Sequence, residues 1–198
     1  MFTNKDYILA SSSNSRYKIL KNAGFIFKQL DPRCDEEEIK SKIKKTTSPI
    51  SLVKKLSYAK ALSISKNKKY AKKKIIGCDT LVYLNNIVFD KAKTLKEAKW
   101  KIKKLSGKKH KIISGITICR NGKMIWQRCV STDVKIRKLT NNQVNVYLQK
   151  SGKQILQSVG CYQIESLGPN IVESIEGDFF NVMGLPLFEL LKYVLKNG

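Results

Sequence analysis

Histidine occurs once, at His110, in a chain of 198 residues. A histidine-rich metal centre is therefore impossible, and a serine or cysteine hydrolase that depends on histidine is a poor fit. More simply, His110 reads as a structural residue at a strand start. The five cysteines (Cys34, Cys78, Cys119, Cys129 and Cys161) are odd in number, and no two have CxxC spacing. That disfavours a disulfide framework and a thiolate zinc site, and makes a reducing cytosol the natural compartment. Four prolines and eleven glycines are too few for a fibrous or linker-rich chain. No run of 18 apolar residues occurs, and Met1–Asp6 is short and polar, without the apolar stretch of a signal peptide. The expectation is a cytoplasmic protein, neither secreted nor membrane-spanning.

Arginine is scarce as well. Only five of the 39 basic residues are arginine, at positions 16, 33, 120, 128 and 137; the other 34 are lysine, against 15 acidic residues and a net charge of +24. Such a balance usually suggests nucleic acid or an anionic surface. Here the lysines are spread along the chain, and lysine, isoleucine and asparagine are abundant together. That pattern points to a generally basic surface from a biased genome and away from a dedicated nucleic-acid site. The field would still attract a polyanion such as a triphosphate.

The apolar patterning alternates between strand and helix periods. Tyr7–Ala10 predicts a buried strand, followed by the polar turn Ser11–Asn14 and a helix carrying Ile19 and Leu20 that stops near Gly24. Phe25–Phe27 reads as a second strand and Asp31–Glu38 as an acidic loop. Ser48-Pro49 starts a helix with Leu52, Leu56, Ala59 and Leu62 on its apolar side. Ile75–Tyr83 is a strand that turns at Asn85-Asn86 into Ile87–Phe89. Thr94 with Glu97, and Thr140 with Gln143, cap two further helices ending near Gly107 and Gly152. Lys111–Cys119 and Met124–Ile136 form a hairpin around Asn121-Gly122. Gly160–Glu165 and Ile171–Ser174 read as short strands, and Pro186 opens a last helix with Leu187, Leu190, Leu191, Val194 and Leu195 on its apolar side. The class is α/β with a mixed sheet.

Four places could carry chemistry. Ser11–Arg16 joins a strand end to a helix start, where free N–H groups, hydroxyls and a guanidinium suit a phosphate. The same segment also reads as an ordinary serine-rich cap, and no Walker lysine motif is present. Asp35-Glu36 begins an acidic run that is either solvated surface or a holder of a hard cation. Asp79 lies in the apolar strand segment Ile76–Leu81, where a carboxylate needs a partner or a metal and could deprotonate a water. Lys91, after the short hairpin, and Lys60, on the helix before it, could neutralise phosphate charge.

Taken in order, these segments resemble the Maf family. The resemblance is carried by Leu9-Ala10-Ser11-Ser12-Ser13-Asn14-Ser15-Arg16, Asp35-Glu36, Ala59-Lys60-Ala61, Gly77-Cys78-Asp79-Thr80, Lys91, Leu105-Ser106-Gly107 with His110, Gly160-Cys161-Tyr162, Ile175-Glu176-Gly177-Asp178 and Asn181-Val182-Met183-Gly184-Leu185-Pro186-Leu187. It spans roughly Tyr7 to Leu195. It implies one domain over residues 1–198: a mixed twisted sheet with flanking helices, in two lobes around a central cleft, like the inosine-triphosphate pyrophosphatase group. It also implies hydrolysis of a nucleoside triphosphate to the monophosphate and pyrophosphate. Ser11, Arg16, Lys60 and Lys91 would hold phosphates. Glu36 and Asp79 would hold Mg²⁺ or Mn²⁺, with Asp79 accepting the water's proton. A homodimer is the assembly the family suggests.

Departures from the family pattern concern specificity and the phosphate shell. Ser15 stands where the family usually has arginine, and Asn14 and Ala92 replace prolines. Ser158 replaces a lysine. Relatives acting on dTTP and UTP pair threonine with glutamine at two base-discriminating positions, and those acting on 7-methyl-GTP pair glutamine with glutamate. Here Thr80 goes with Glu165, a mixture that leaves the base open. Two rival functions remain from the sequence: a basic nucleic-acid-binding module, and a nucleotide-sensing regulator without turnover.

Overall fold

The structure, a computed structural model, describes residues 6–41 and 47–197. The polar N-terminal residues before Asp6 lie outside the described residues. Among the described residues, seven strands and seven α-helices follow in the order β1 Tyr7–Ala10, α1 Asn14–Asn22, β2 Phe27–Leu30, α2 Glu36–Ser41, α3 Pro49–Ser65, β3 Lys74–Leu84, β4 Ile87–Phe89, α4 Leu95–Leu105, β5 Lys109–Arg120, β6 Lys123–Ile136, α5 Asn141–Ser151, β7 Val172–Glu176, α6 Phe179–Val182 and α7 Leu187–Asn197. Strand order is β2-β1-β3-β5-β6-β7, with β4 pairing β3. β1 runs parallel to β2 and β3, while β3–β4 and β6–β7 are antiparallel, so the sheet is mixed as expected. No helix among the described residues is long and apolar enough to cross a membrane.

Contacts divide the chain into two compact units. The first comprises residues 6–41, 47–80, 114–130 and 184–197; the second comprises 81–113 and 131–183. β3, β5 and β6 each supply residues to both.

In the first unit, Ile8 and Ala10 of β1, Ile75 of β3 and Cys119 of β5 pack with Ala61 and Ile64 of α3. Two glycines set how closely α3 approaches. A Cβ at Gly77 would lie 2.2 Å from the Ser57 carbonyl oxygen and 2.6 Å from the Ala61 nitrogen, and one at Gly115 would lie 2.5 Å from the Val53 carbonyl oxygen. Helix backbone thus rests directly on β3 and β5. A hydrogen bond of 2.8 Å between the buried Ser57 and Thr117 hydroxyls joins the layers. The register pairs Ala10 with both Leu30 and Gly77. Ser11 and Asp79 consequently lie past the carboxyl end of the parallel pairing, where open α/β sheets place their ligands.

In the second unit, Val82, Phe89, Ala98, Ile102, Leu105, Ile112, Val134, Ile136, Val144 and Tyr162 belong to one core. Lys101 is only 5% exposed. Its ammonium donates to the Asp90 carbonyl oxygen at 2.6 Å and pairs with Glu97 at 2.8 Å. A buried helix lysine therefore holds the segment that leads into Lys91.

Several expectations need correcting. Phe25 is not in a strand: β2 starts at Phe27, and Phe25 is buried with its ring against Tyr7. The acidic segment is not all loop, because Glu36 opens α2 and the Asp35 carboxylate accepts from the Glu38 N–H at 2.9 Å. The buried side of α3 is Val53, Leu56, Ser57, Lys60, Ala61 and Ile64, rotated from the expected stripe, so Leu52, Ala59 and Leu62 are only half-buried. Gly160–Glu165 forms turns instead of a strand, with Cys161 at φ 55. Leu195 of α7 is 61% exposed, so the apolar side of that helix stops at Val194.

Candidate active site

The period-2 alternation of β3 sorts the residues after its pairing with β1 onto two faces. Gly77 and Asp79 face α3. Cys78 and Thr80 face the other way, and both side chains donate to the Gly184 carbonyl oxygen, each at 3.2 Å. One strand thereby feeds two clusters.

The first cluster is ionic. The Lys60 ammonium, on the buried side of α3, lies 2.6 Å from an Asp79 carboxylate oxygen and 3.0 Å from a Glu36 carboxylate oxygen. Lys60 and Asp79 are buried, at 6% and 8% exposure, while Glu36 is half-buried. Two carboxylates distant in sequence therefore converge on one cationic point. Gly77 is the structural reason, since the approach it permits brings Lys60, between Ser57 and Ala61 on α3, down to Asp79. An ammonium has three donor hydrogens, and two ion pairs leave one for a further acceptor.

The second cluster holds a cation without neutralising it. Ser13 caps α1, its hydroxyl accepting from the Arg16 N–H. The Arg16 guanidinium donates from Nε to the Gly184 carbonyl at 2.8 Å, from one terminal nitrogen to the Ser11 hydroxyl at 3.1 Å, and from the other to the Thr80 hydroxyl at 3.1 Å. Every one of these acceptors is neutral. The guanidinium has five N–H donors, so its charge and two donors remain for an anion. Gln29 of β2 braces the turn from below, donating to the Ser11 carbonyl at 2.7 Å and to that of Ser13 at 3.3 Å.

Of the residues expected from sequence, Glu36, Lys60 and Asp79 come together, as do Ser11, Arg16 and Thr80. Ser15 is half-buried on the first turn of α1. Lys91 and Glu165 belong to the second unit, where both are exposed. Sequence reading named Gly184 only as part of a motif, without a task, and missed Ser114, which joins it in the Arg16 cluster, and Lys101, which secures the Asp90 carbonyl. A serine inside the apolar run Ile112–Ile116 was the visible signal for Ser114.

Among the described residues, titratable groups elsewhere do not form a rival centre. In the second unit His110 is 2% exposed and hydrogen-bonds the Tyr162 hydroxyl at 2.7 Å. Burial lowers its pKa to about 4, so the ring is neutral at ordinary pH, as a structural histidine should be. All five cysteines are free. Burial pushes the thiols of Cys119 and Cys161 up to about 11 and raises that of Cys78, which keeps them protonated and unreactive.

Could the ionic cluster take a divalent metal? Among the described residues no three His, Cys, Asp or Glu side chains gather as a ready-made cage. Magnesium-type ions, however, commonly use one or two carboxylates and complete their shell with water and substrate phosphate oxygens. A converged pair of hard oxygen donors, already balanced by a cation, fits that mode.

The chain is similar to other proteins along nearly their whole length. The chain is 34% identical over 191 residues to the nucleoside triphosphate pyrophosphatase of Caulobacter vibrioides, covering 96% of this chain and 94% of the relative. It is 40% identical over 184 residues to the 7-methyl-GTP pyrophosphatase of Bartonella quintana, covering 93% and 91%. The protein of that name from Rhizobium etli is 34% identical over 185 residues, covering 93% and 92%. The model of the Maf-like protein family matches residues 6–197, and the chain belongs to that family.

Proposed function

We propose that this protein hydrolyses nucleoside triphosphates to the monophosphate and pyrophosphate. The observation that carries the reading is the convergence of Glu36 and Asp79 on one cationic point, one residue along the strand from the threonine that grips Arg16. The names of the relatives support the same reaction.

Glu36 and Asp79 would hold Mg²⁺ or Mn²⁺, which when bound neutralises phosphate charge and acidifies water. Arg16 and the Ser11 hydroxyl bind phosphate oxygens at the amino end of α1. Lys60 keeps the two carboxylates together and offers its third N–H to the phosphate chain. Asp79 accepts a proton from the attacking water as its oxygen bonds to phosphorus. The bond between the α and β phosphates breaks, and its electron pair leaves with pyrophosphate. Positioning and charge do this work, and no covalent nucleophile is required. The free thiols suit a reducing, cytosolic compartment.

A panel of ATP, GTP, CTP, UTP, dTTP and 7-methyl-GTP, with Mg²⁺ or Mn²⁺, tests the reading. Metal-dependent release of monophosphate and pyrophosphate in equal amounts is expected, and the rank order assigns the preferred base. Tight triphosphate binding without product would favour a nucleotide sensor. Salt-sensitive nucleic-acid binding without turnover would favour a basic binding module.

A further inference from the structure

Thr80 makes one more contact, to a residue assigned no task. Its hydroxyl lies 2.8 Å from that of Ser114 on β5, which is fully buried. A hydroxyl has one proton and two lone pairs. Arg16 can only donate to Thr80, and the Gly184 carbonyl can only accept from it. The arrangement that satisfies every contact of Thr80 has its proton on Gly184, with Ser114 as the donor in the remaining bond. All three positions on the Thr80 oxygen are then filled, and its rotation is fixed with one lone pair toward the guanidinium.

We infer that Ser114 is a positioning residue for Arg16, acting through Thr80 with the Gly184 carbonyl as the second anchor. The inference rests on the reading of Arg16 as a phosphate ligand. Without the Ser114 donor, Thr80 is free to turn, and the guanidinium loses one of its three fixed acceptors. Gly184 suits its part: its φ is +96, and an added Cβ would lie 3.5 Å from the Thr80 hydroxyl and 3.7 Å from Arg16 Nε. A further consequence concerns specificity. The threonine at the base-discriminating position is bonded directly to the arginine, so exchanging it to alter base choice also loosens the phosphate grip.

The test measures binding of inorganic tripolyphosphate, a ligand with phosphates but no base, by calorimetry with Mg²⁺. Wild type, Ser114→Ala, Arg16→Lys and the double variant are compared, with melting curves alongside. Ser114→Ala should weaken binding about tenfold, the size of one lost hydrogen bond. Arg16→Lys should weaken it more, and the double variant should be no worse than Arg16→Lys, since Ser114 acts only through that arginine. Ser114→Thr keeps the hydroxyl and should bind within a fewfold of wild type, and it replaces Ser114→Ala in the cycle if the latter does not fold, with loss of binding then counting against the inference. A lowered melting temperature with unchanged affinity in Ser114→Ala, or additive losses in the double variant, would overturn the inference alone. Wild type that binds no tripolyphosphate would overturn the reading of Arg16, and the inference with it.

Discussion

Asp79→Asn should lower the rate of pyrophosphate release by about a thousandfold, within the range that a lost proton acceptor commonly costs. The substitution keeps the shape of the side chain but removes its charge and its ability to take a proton. It also halves the anionic charge around the point where the two carboxylates meet. The fold survives, because Lys60 retains Glu36 as counter-ion and the asparagine oxygen can still accept a hydrogen bond. The cost to stability is about 2 kcal/mol, typical of weakening a hydrogen bond to a charged group. Turnover and a denaturant melt on the same preparation check both parts. Near-normal turnover would remove Asp79 from the chemistry.

Gly77→Ala should be the most damaging small substitution. Its Cβ would meet two backbone atoms of α3 well inside contact distance, and neither can rotate away as a flexible side chain could. The helix must lift from the sheet, at a cost of about 3 kcal/mol. For a chain of this size that is a fall in melting temperature of roughly 6–12 °C. The lift also carries Lys60 away from Asp79, so turnover should drop even at temperatures where the variant is fully folded. Loss of stability with full activity at 15 °C would show that the approach of α3 does not set the ionic cluster.

How far the residues foretell this architecture depends on which force decides each place. Turns set by local backbone chemistry were legible: Asn85, Asn86, Asn121 and Gly122 all take the positive φ values that their pairings demand. So were the caps at Ser48 and Thr140, where a side-chain oxygen meets a free N–H. The apolar strand around Asp79 was legible because burying a lone carboxylate is costly.

The misread stretches were decided by partners far away in the sequence. The buried side of α3 contains Ser57 and Lys60, which hydrophobic periodicity counts as outward-facing; a hydroxyl on β5 and a carboxylate on β3 turn them inward. Gly160–Glu165 has strand-like composition, yet the turn at Cys161 breaks it. Ser114 and Gly184 could not be assigned tasks because their roles exist only through Thr80 and Arg16. Lys101 was one lysine among many until its burial distinguished it.

Direct titration with Mn²⁺, followed by electron paramagnetic resonance in the presence of a non-hydrolysable nucleoside triphosphate analogue, bears most closely on the pairing of Glu36 with Asp79. The wild-type protein should take up one tightly held ion per chain. The Glu36→Gln/Asp79→Asn double variant, folded by its melting curve, should lose that ion. Unchanged uptake by the double variant would contradict the assignment of the converged carboxylates as the metal site.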